Sequence, residues 1–276
     1  MNNLPLAKKV QIINLLVEGN SLRSTSRITG CSINTVTKLL VDVGKACQDF
    51  HNEKVIDVRS KRVQCDEIWS FVYAKKKNIP EELKRDGIGD VWTWTGIDAD
   101  SKLVVSWLVG NRDAETADIF IKDIAYRLKN KVQLTTDGLS AYIDAVEDNM
   151  IGKVDYAQLI KLYGNEGASE NDKRYSPAEC TGTIKNKIIG KPKNKYISTS
   201  YIERQNLTMR MSMRRFTRLT NGFSKKIENH CHAIALNFVY YNFCRIHKTL
   251  RVTPAYEAGI TKEIMTIEDI VKLTLK

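Results

Sequence analysis

The chain has 276 residues, of which 42% are hydrophobic and 27% charged, a composition typical of a folded protein with one sizeable core and room for a smaller module. Its 43 lysines and arginines against 32 acidic residues give a formal charge of +11, which favours a polyanionic partner. No apolar run reaches the length of a membrane-spanning helix, the first residues lack the form of a signal peptide, and the six cysteines lack the spacing of a disulfide framework. We therefore expect a cytoplasmic protein that has no membrane partner and is not a disulfide scaffold.

Three short helices are predicted in residues 1–50. Apolar residues recur at helical spacing up to Gly19, Ser21 can cap a second helix that ends near Gly30, and Ser32 can cap a third. Two short helices joined by a tight turn that contains glycine are typical of the helix-turn-helix arrangement. We predict a helix-turn-helix DNA-binding domain at 1–50, and a purely structural three-helix cap is the alternative.

The third helix has one apolar face and one polar face. Its apolar residues are Ile33, Val36, Leu40 and Val43. The outward positions carry residue types that contact base edges or phosphates. We expect these positions to face the major groove of DNA; they are Asn34, Thr35 and Lys38.

The periodicity changes after a polar segment at 51–62, which we interpret as a linker. Residues rich in Val, Ile, Trp, Phe and Thr predict strands at 63–73, 91–98, 103–109 and 132–136. Helices are predicted at 114–128, with Ile119 and Phe120 on its inner side, and at 139–146. This order predicts an α/β domain at 63–276, a ribonuclease-H-like mixed sheet with flanking helices, although other mixed folds share the order.

The second half of the chain is less regular. Residues 150–200 contain several glycines, two prolines and a run of lysines, which we interpret as an insertion with weak internal structure. Two helices are then predicted at about 200–216 and 224–246.

Asp66 lies inside the first apolar strand, where a carboxylate is costly to bury unless it is paired or holds a cation. Its neighbour Glu67 must point to the opposite face. One of the two is therefore expected to be exposed or to be an ion-pair partner, and the spacing does not say which. Asp137 ends the fourth strand, at the kind of edge where ligands gather in α/β sheets, and a helix-capping role is its alternative.

Glu203 is the only acidic residue among the twelve lysines and arginines of residues 184–226. It is either a salt-bridge partner of Arg204 or Arg210, or the point where a metal ion is held against bound DNA. Three carboxylates on one platform can bind two divalent cations, which stabilise an in-line phosphoryl displacement. The arginines expected to contact DNA in this region are Arg204, Arg210, Arg214, Arg215 and Arg218.

Three blocks resemble the InsB-type transposases of bacterial insertion sequences: residues 65–71 (CDEIWSF), 136–142 (TDGLSAY) and 202–207 (IERQNL). A later block, 241–250 (YNFCRIHKTL), is similar to a closing segment of many transposases. The resemblance implies a DDE transposase with a ribonuclease-H-like core and a catalytic, metal-binding triad of Asp66, Asp137 and Glu203.

The same resemblance implies Mg²⁺ as the cofactor, with Mn²⁺ as a substitute, and double-stranded DNA as the partner, both at terminal inverted repeats and at a target site. Cleavage would free a 3′-hydroxyl that then attacks target DNA. Pairing of two transposon ends implies at least a homodimer, associated with the nucleoid.

Other interpretations stay open from the residues alone. The chain could be a non-catalytic helix-turn-helix regulator derived from a transposase, or a recombinase whose nucleophile is Tyr241. Its histidines and cysteines could form a zinc site, although no Cys-x-x-Cys pair is present. The residues concerned are His230, Cys231, His232, Cys244 and His247.

Overall fold

The computed structural model describes residues 4–83, 87–164, 179–217 and 221–275. Its helices are α1 (Leu6–Val17), α2 (Leu22–Thr29), α3 (Ile33–Lys54), α4 (Ala114–Arg127), α5 (Ala141–Met150), α6 (Ser200–Ser212), α7 (Ile227–Val239), α8 (Pro254–Glu257) and α9 (Ile267–Lys272). Its strands are β1 (Arg62–Val72), β2 (Gly89–Asp98), β3 (Val104–Gly110), β4 (Val132–Thr136), β5 (Val154–Gly164) and β6 (Glu179–Ile189). A π-helical turn, Tyr240–Cys244, follows α7. Among the described helices, none combines the length and the apolar composition that crossing a membrane requires.

The first three helices begin, and the first two end, where the sequence predicts. Ser21 accepts a hydrogen bond from the backbone N–H of Ser24 at 3.0 Å, and Gly30 ends α2 with a φ of +69°. Ser32 caps α3 in the same way through Thr35, at 3.1 Å. Each capping oxygen satisfies a backbone donor that the first helical turn leaves free. The DNA-binding role of these helices stays a prediction.

The strands form a six-stranded mixed sheet in the order β3-β2-β1-β4-β5-β6. β1 runs antiparallel to β2 and parallel to β4, β4 runs parallel to β5, and β6 is antiparallel to β5. Helices flank the sheet, so the expected α/β architecture with a mixed sheet is confirmed. The central strand β1 is therefore enclosed by neighbours on both edges.

The prediction of weak internal structure at 150–200 is wrong for the described part of that segment, which supplies β5 and β6. Val154, Tyr156 and Ala157 are buried, because β5 is a full member of the sheet beside β4. Lysines such as Lys185 and Lys187 lie on β6, the outermost strand, where charged side chains remain in solvent and discourage pairing with other sheets. Their abundance hides the alternation that marks a strand.

Separate apolar clusters cover the two faces of the sheet. On one face, α4 and α5 enclose the aromatic residues Trp94, Phe120 and Tyr142, all fully buried. On the other face, Ile68 and Val104 share a core with α1, α3, α6 and α7. The central strands are buried on both sides as a result.

Two residues placed on inner faces by the sequence are exposed instead. Ile33 is 41% exposed and Ile119 is 51% exposed. Ile33 lies in the first turn of α3, before the helix reaches its packing partners. Phe120 and Ile124 point from α4 into the apolar core. Ile119 comes just before Phe120, and the 100° step between successive helical residues turns its side chain towards solvent.

The segment predicted as a linker, 51–62, is packed in its first half. α3 continues to Lys54, and His51 is buried, with its Nε2 3.1 Å from the carbonyl oxygen of Val105 on β3. Val55 and Val58 are fully buried. The boundary of an N-terminal domain stays a prediction, and its helices share their core with the rest of the chain.

α3 and α7 cross closely at Gly44. A Cβ atom built on Gly44 would overlap the Cα, the Cβ and the carbonyl oxygen of His232. Because these are backbone and near-backbone atoms, no rotamer change of His232 can relieve the overlap. The absence of a side chain at Gly44 therefore permits the close packing of these two helices.

Gly44→Ala should lower the free energy of unfolding by about 1–3 kcal/mol, because the added methyl group forces the two helices apart. Urea denaturation followed by circular dichroism measures this change. Lys45→Ala is the matched control, since Lys45 is exposed on the same helix turn and its replacement should be nearly neutral. Equal stability of the two variants would contradict the close crossing.

Candidate metal site

Asp66 and Asp137 come together at the centre of the sheet. β1 and β4 are parallel, with Gln64 opposite Thr135, and the two aspartates lie two positions further along each chain. One carboxylate oxygen from each, together with one from Glu67, lie within 4.8 Å of one another. Among the described residues this is the group of acidic, histidine or cysteine side chains close enough to share a metal ion.

Glu67 is the member of this group that the sequence did not assign to it. Its side chain is on the same face as the buried Tyr142, opposite to that of Asp66, and is only 1% exposed. Its Oε2 accepts a hydrogen bond from Nε of Arg112 at 3.0 Å. Of the adjacent acidic pair, Glu67 is therefore the ion-pair partner, and neither residue is exposed.

Helix α6 is fixed over Asp66 by two side chains of β1. Oε1 of Gln64 accepts hydrogen bonds from the backbone N–H groups of Tyr201 and Ile202, at 2.9 and 3.1 Å. One turn further along α6, Nδ2 of Asn206 donates to Oδ2 of Asp66 at 2.8 Å. Gln64 and Asp66 are two residues apart on the strand and so project from the same face.

Glu203 lies on α6 between these two attachment points, but its carboxylate is outside the cluster. Nζ of Lys161, on β5, is 2.6 Å from Oε2 of Glu203. The hydroxyl of Thr199 donates to Oε1. The sequence offered Arg204 and Arg210 as ion-pair partners for Glu203, whereas the structure places Lys161 there, from a strand 42 residues earlier in the chain.

The carboxylates repel one another in a buried setting. Burial, together with the charge of Glu67, raises the pKa of Asp66 to about 7. Asp137 and Glu203 act in the same direction, and the backbone N–H of Glu67 opposes them. Burial also raises the pKa of Glu67, with a further contribution from Asp137. The cluster therefore carries an unfavourable charge that a cation would relieve.

The residues present fit a hard divalent cation. All of the donors are carboxylate oxygens, which are the ligands that Mg²⁺ and Mn²⁺ take in proteins. Oε1 of Glu67 is buried and makes no hydrogen bond of normal geometry, although the hydroxyl of Tyr142 lies near enough to lower the pKa of Glu67. A buried carboxylate oxygen without a full partner is costly, and positive charge close to the cluster lowers that cost.

The basic residues expected to contact DNA differ in their accessibility. Arg204 and Arg214 are exposed, and Arg210 is half-buried. Arg215 is mostly buried and donates from Nε to the hydroxyl of Ser224 at 2.8 Å. Arg218 lies outside the described residues. Arg204 and Arg214 are thus the arginines best placed to meet a phosphate.

On α3, Asn34 and Lys38 are exposed and Thr35 is half-buried. The hydroxyl of Thr35 is 2.8 Å from that of Ser32, so it is engaged by the helix cap. Nζ of Lys38 is 2.7 Å from Oδ2 of Asp42, one turn along the same exposed surface. Asn34 and Lys38 are therefore accessible from solvent, Lys38 within an exposed ion pair, while the hydroxyl of Thr35 is engaged by the cap.

The histidines and Tyr241 have other surroundings. His230 is fully buried, with Nδ1 2.9 Å from the hydroxyl of Ser224 and Nε2 3.2 Å from that of Ser70. Burial lowers its pKa to about 3, so it is neutral near pH 7. Tyr241 is also buried, and this raises the pKa of its hydroxyl, which disfavours Tyr241 as a nucleophile.

No family model and no curated protein matches the chain. Similar solved structures include a Mos1 transposase paired-end complex with left transposon end, at 10% identity and a TM-score of 0.24 over 56% of this chain and 60% of that chain. They also include a piggyBac transposase synaptic complex with hairpin DNA, at 10% identity and a TM-score of 0.45, over 98% of this chain and 69% of that chain. The Mos1 mariner paired end complex with Mn has 11% identity and a TM-score of 0.22, over 56% of this chain and 60% of that chain. These likenesses are too weak to show a shared fold or activity.

Without divalent metal, Asp66→Asn should raise the free energy of unfolding at pH 8 by about 1–3 kcal/mol, because it removes a buried, repelled charge. The pKa of Asp66 is higher in the folded state than in the unfolded state. Ionisation of Asp66 therefore destabilises the fold fully above about pH 7, and this cost disappears below about pH 4. The gain should shrink accordingly as the pH falls.

Urea denaturation with EDTA at pH 4, 6 and 8 measures this dependence. Asp148→Asn, an exposed aspartate on α5, is the control and should show no trend with pH. A loss of stability in Asp66→Asn at pH 8 would mean that the bond to Asn206 outweighs the repulsion within the cluster.

Proposed function

We propose that the chain is a DDE transposase that binds transposon ends and catalyses metal-dependent cleavage and transfer of DNA strands. The observation that carries the proposal is the meeting of Asp66 with Asp137 at the centre of the sheet, beneath the helix that bears Glu203. The sheet order supports a ribonuclease-H-like core, with β1 antiparallel to β2 and parallel to β4. The formal charge of +11 supports a polyanionic substrate, and the carboxylate cluster supports chemistry on phosphate.

Asp66 and Asp137 are the residues that would hold Mg²⁺, or Mn²⁺ in its place. The bound ion supplies positive charge that stabilises the attacking and leaving oxygens of an in-line phosphoryl displacement. Asn206 orients the carboxylate of Asp66 by donating to its Oδ2, and the backbone N–H of Leu139 does the same for Oδ1 of Asp137 at 3.0 Å. Both aspartates are thus held in position by hydrogen bonds before any ligand arrives.

Glu203 is proposed as the third carboxylate of the triad. It precedes Asn206 by three residues, so the two side chains lie on the same side of α6, and Asn206 already contacts Asp66. Its side chain is 39% exposed and its partner Lys161 is 29% exposed, so this ion pair is open to competition from solvent and ligands.

The DNA partners belong to the same proposal. The exposed Arg204 follows Glu203 directly in sequence, and the exposed Arg214 lies just beyond the end of α6. Exposed arginines of this kind neutralise phosphates and hold a DNA duplex without reading its sequence. Recognition of terminal inverted repeats is assigned to α3, and pairing of two ends requires at least a homodimer.

Asp66→Asn, Asp137→Asn and Glu203→Gln should each lower the rate of strand cleavage by at least about 100-fold, because each keeps the side-chain shape and removes a metal-binding charge. Nicking of a duplex that carries the element's own inverted repeat, across titrations of Mg²⁺ and Mn²⁺, measures this rate. Glu228→Gln is the control, since Glu228 is exposed on α7 and outside the cluster.

Near-normal nicking by Glu203→Gln alone would remove Glu203 from the triad and leave the two aspartates in place. Stronger DNA binding with unchanged cleavage in that variant would identify Glu203 as a structural partner of Lys161. Binding of end DNA without any metal-dependent cleavage by the wild-type protein would favour the non-catalytic regulator.

Asn34→Ala should reduce the preference for end DNA over unrelated DNA by about tenfold, since a lost base contact costs ~1–3 kcal/mol. Lys38→Ala should weaken binding to both DNAs alike. It should also lower the slope of log affinity against log salt concentration by about the amount of one phosphate contact. Fluorescence anisotropy with matched and scrambled duplexes at several salt concentrations measures both effects. Lys45→Ala, further along α3, is the control. An equal loss of affinity for the two DNAs in Asn34→Ala would contradict the contact of α3 with the bases.

A further inference from the structure

Arg112 lies across two members of the carboxylate cluster. It follows β3 and precedes α4. Its Nε donates to Oε2 of Glu67 at 3.0 Å, and its Nη2 is 3.5 Å from Oδ2 of Asp137. The guanidinium also lies over the ring of Trp92, with Cζ 5.0 Å from the ring centroid. Because a guanidinium presents its donors as a rigid planar fork, one group can reach both carboxylates at once.

The two contacts of Arg112 are unequal. The Glu67 side chain is 1% exposed, and its bond to Arg112 has the length of a normal hydrogen bond. The Asp137 side chain is 34% exposed, and its oxygen is beyond normal hydrogen-bond length from Arg112. The contact with Glu67 is therefore the stronger one, and the contact with Asp137 is the one that an incoming cation can replace.

The cluster also needs the charge of Arg112. Three carboxylates have oxygens within 4.8 Å of one another, and the ion pairs recorded for them within the described residues both involve Arg112. At such distances like charges repel one another strongly in a partly buried setting. A positive group held against Glu67 and Asp137 offsets part of this repulsion in the protein without metal.

We propose that Arg112 is the resident counter-cation of the metal site, held in place by Glu67, and that a divalent ion binds by displacing it from Asp137. Glu67 is then a positioning residue: it acts on the metal through Arg112 and is not itself a ligand. The inference rests on the proposed function only in taking Asp66 and Asp137 as the metal-binding residues.

The test is the dissociation constant of Mn²⁺, measured without DNA by the electron paramagnetic resonance signal of the free ion. Arg112→Gln should bind Mn²⁺ at least about tenfold more tightly than the wild type, because the competing charge is gone. Arg112→Lys should bind with intermediate affinity, since one ammonium group cannot span both carboxylates. Arg62→Gln is the control: Arg62 also pairs with an aspartate, Asp100, but away from the cluster, and its loss should change the constant by less than about twofold.

A double-mutant cycle separates positioning from ligation. Glu67→Gln should weaken Mn²⁺ binding when Arg112 is present, because Arg112 is then left to Asp137 alone. In the Arg112→Gln background the same change should have a much smaller effect. An equal loss of affinity in both backgrounds would make Glu67 a ligand and overturn its positioning role.

Unchanged or weaker Mn²⁺ binding by folded Arg112→Gln would overturn the competition, while a wild-type protein that binds Mn²⁺ through Asp137 would still support the proposed function. If neither the wild type nor Arg112→Gln binds Mn²⁺, the metal site and the competition both fail. Circular dichroism and thermal unfolding establish folding of each variant. If Arg112→Gln does not fold, Arg112→Lys takes its place in the test. An affinity of Arg112→Lys for Mn²⁺ no higher than that of the wild type would contradict displacement of Arg112 by the ion.

Discussion

The parallel pairing of β1 with β4 is the constraint from which the candidate site follows. Its register places Gln64 opposite Thr135, so that Asp66 and Asp137 come side by side where the two strands separate. The same strand then positions α6, because Gln64 holds the N-terminal turn and Asp66 receives Asn206. One strand therefore supplies the first carboxylate and orients the helix that bears Glu203.

The site combines opposite charges at two length scales. Over the whole chain there is an excess of positive charge, which attracts a polyanion over distances near the Debye length. Within a few ångströms of Asp66 the excess is negative, and burial together with this negative charge raises the pKa of Asp66 to about 7. A protein with this arrangement attracts polyanions to its surface and small cations to its carboxylates, so the two kinds of ligand do not compete for the same groups.

Much of the framework could be predicted because its signals are local. Caps at Ser21 and Ser32 fix the starts of helices, and runs of β-branched residues mark the first four strands. Asp66 was found because a carboxylate inside an apolar strand demands an explanation. The sequence did not predict β5 and β6, because β6 is an edge strand rich in lysine. Such a strand does not need buried residues on both faces, so it lacks the apolar pattern of the central strands.

The partners of the acidic residues could not be predicted, since they arise only when distant segments meet. Lys161 reaches Glu203 from β5, and Arg112 reaches Glu67 from the connection after β3, at separations of 42 and 45 residues. Glu67 itself was assigned to the opposite face by strand alternation. That rule describes the directions of Cβ atoms, whereas the ends of two acidic side chains at the level of one strand can still approach each other.

The close packing of α3 with α7, and of α1 with α9, joins the beginning of the chain to its end. Consequently, α1 and α3 leave the ribosome well before α7 and α9, the helices that complete their packing. At about 5–20 residues per second, roughly 200 further residues take roughly 10–40 s to synthesise. Through that interval the apolar sides of α1 and α3 stay uncovered, and such long-range closure also slows folding once synthesis ends. Nascent chains with these helices uncovered are therefore the species most prone to associate with one another.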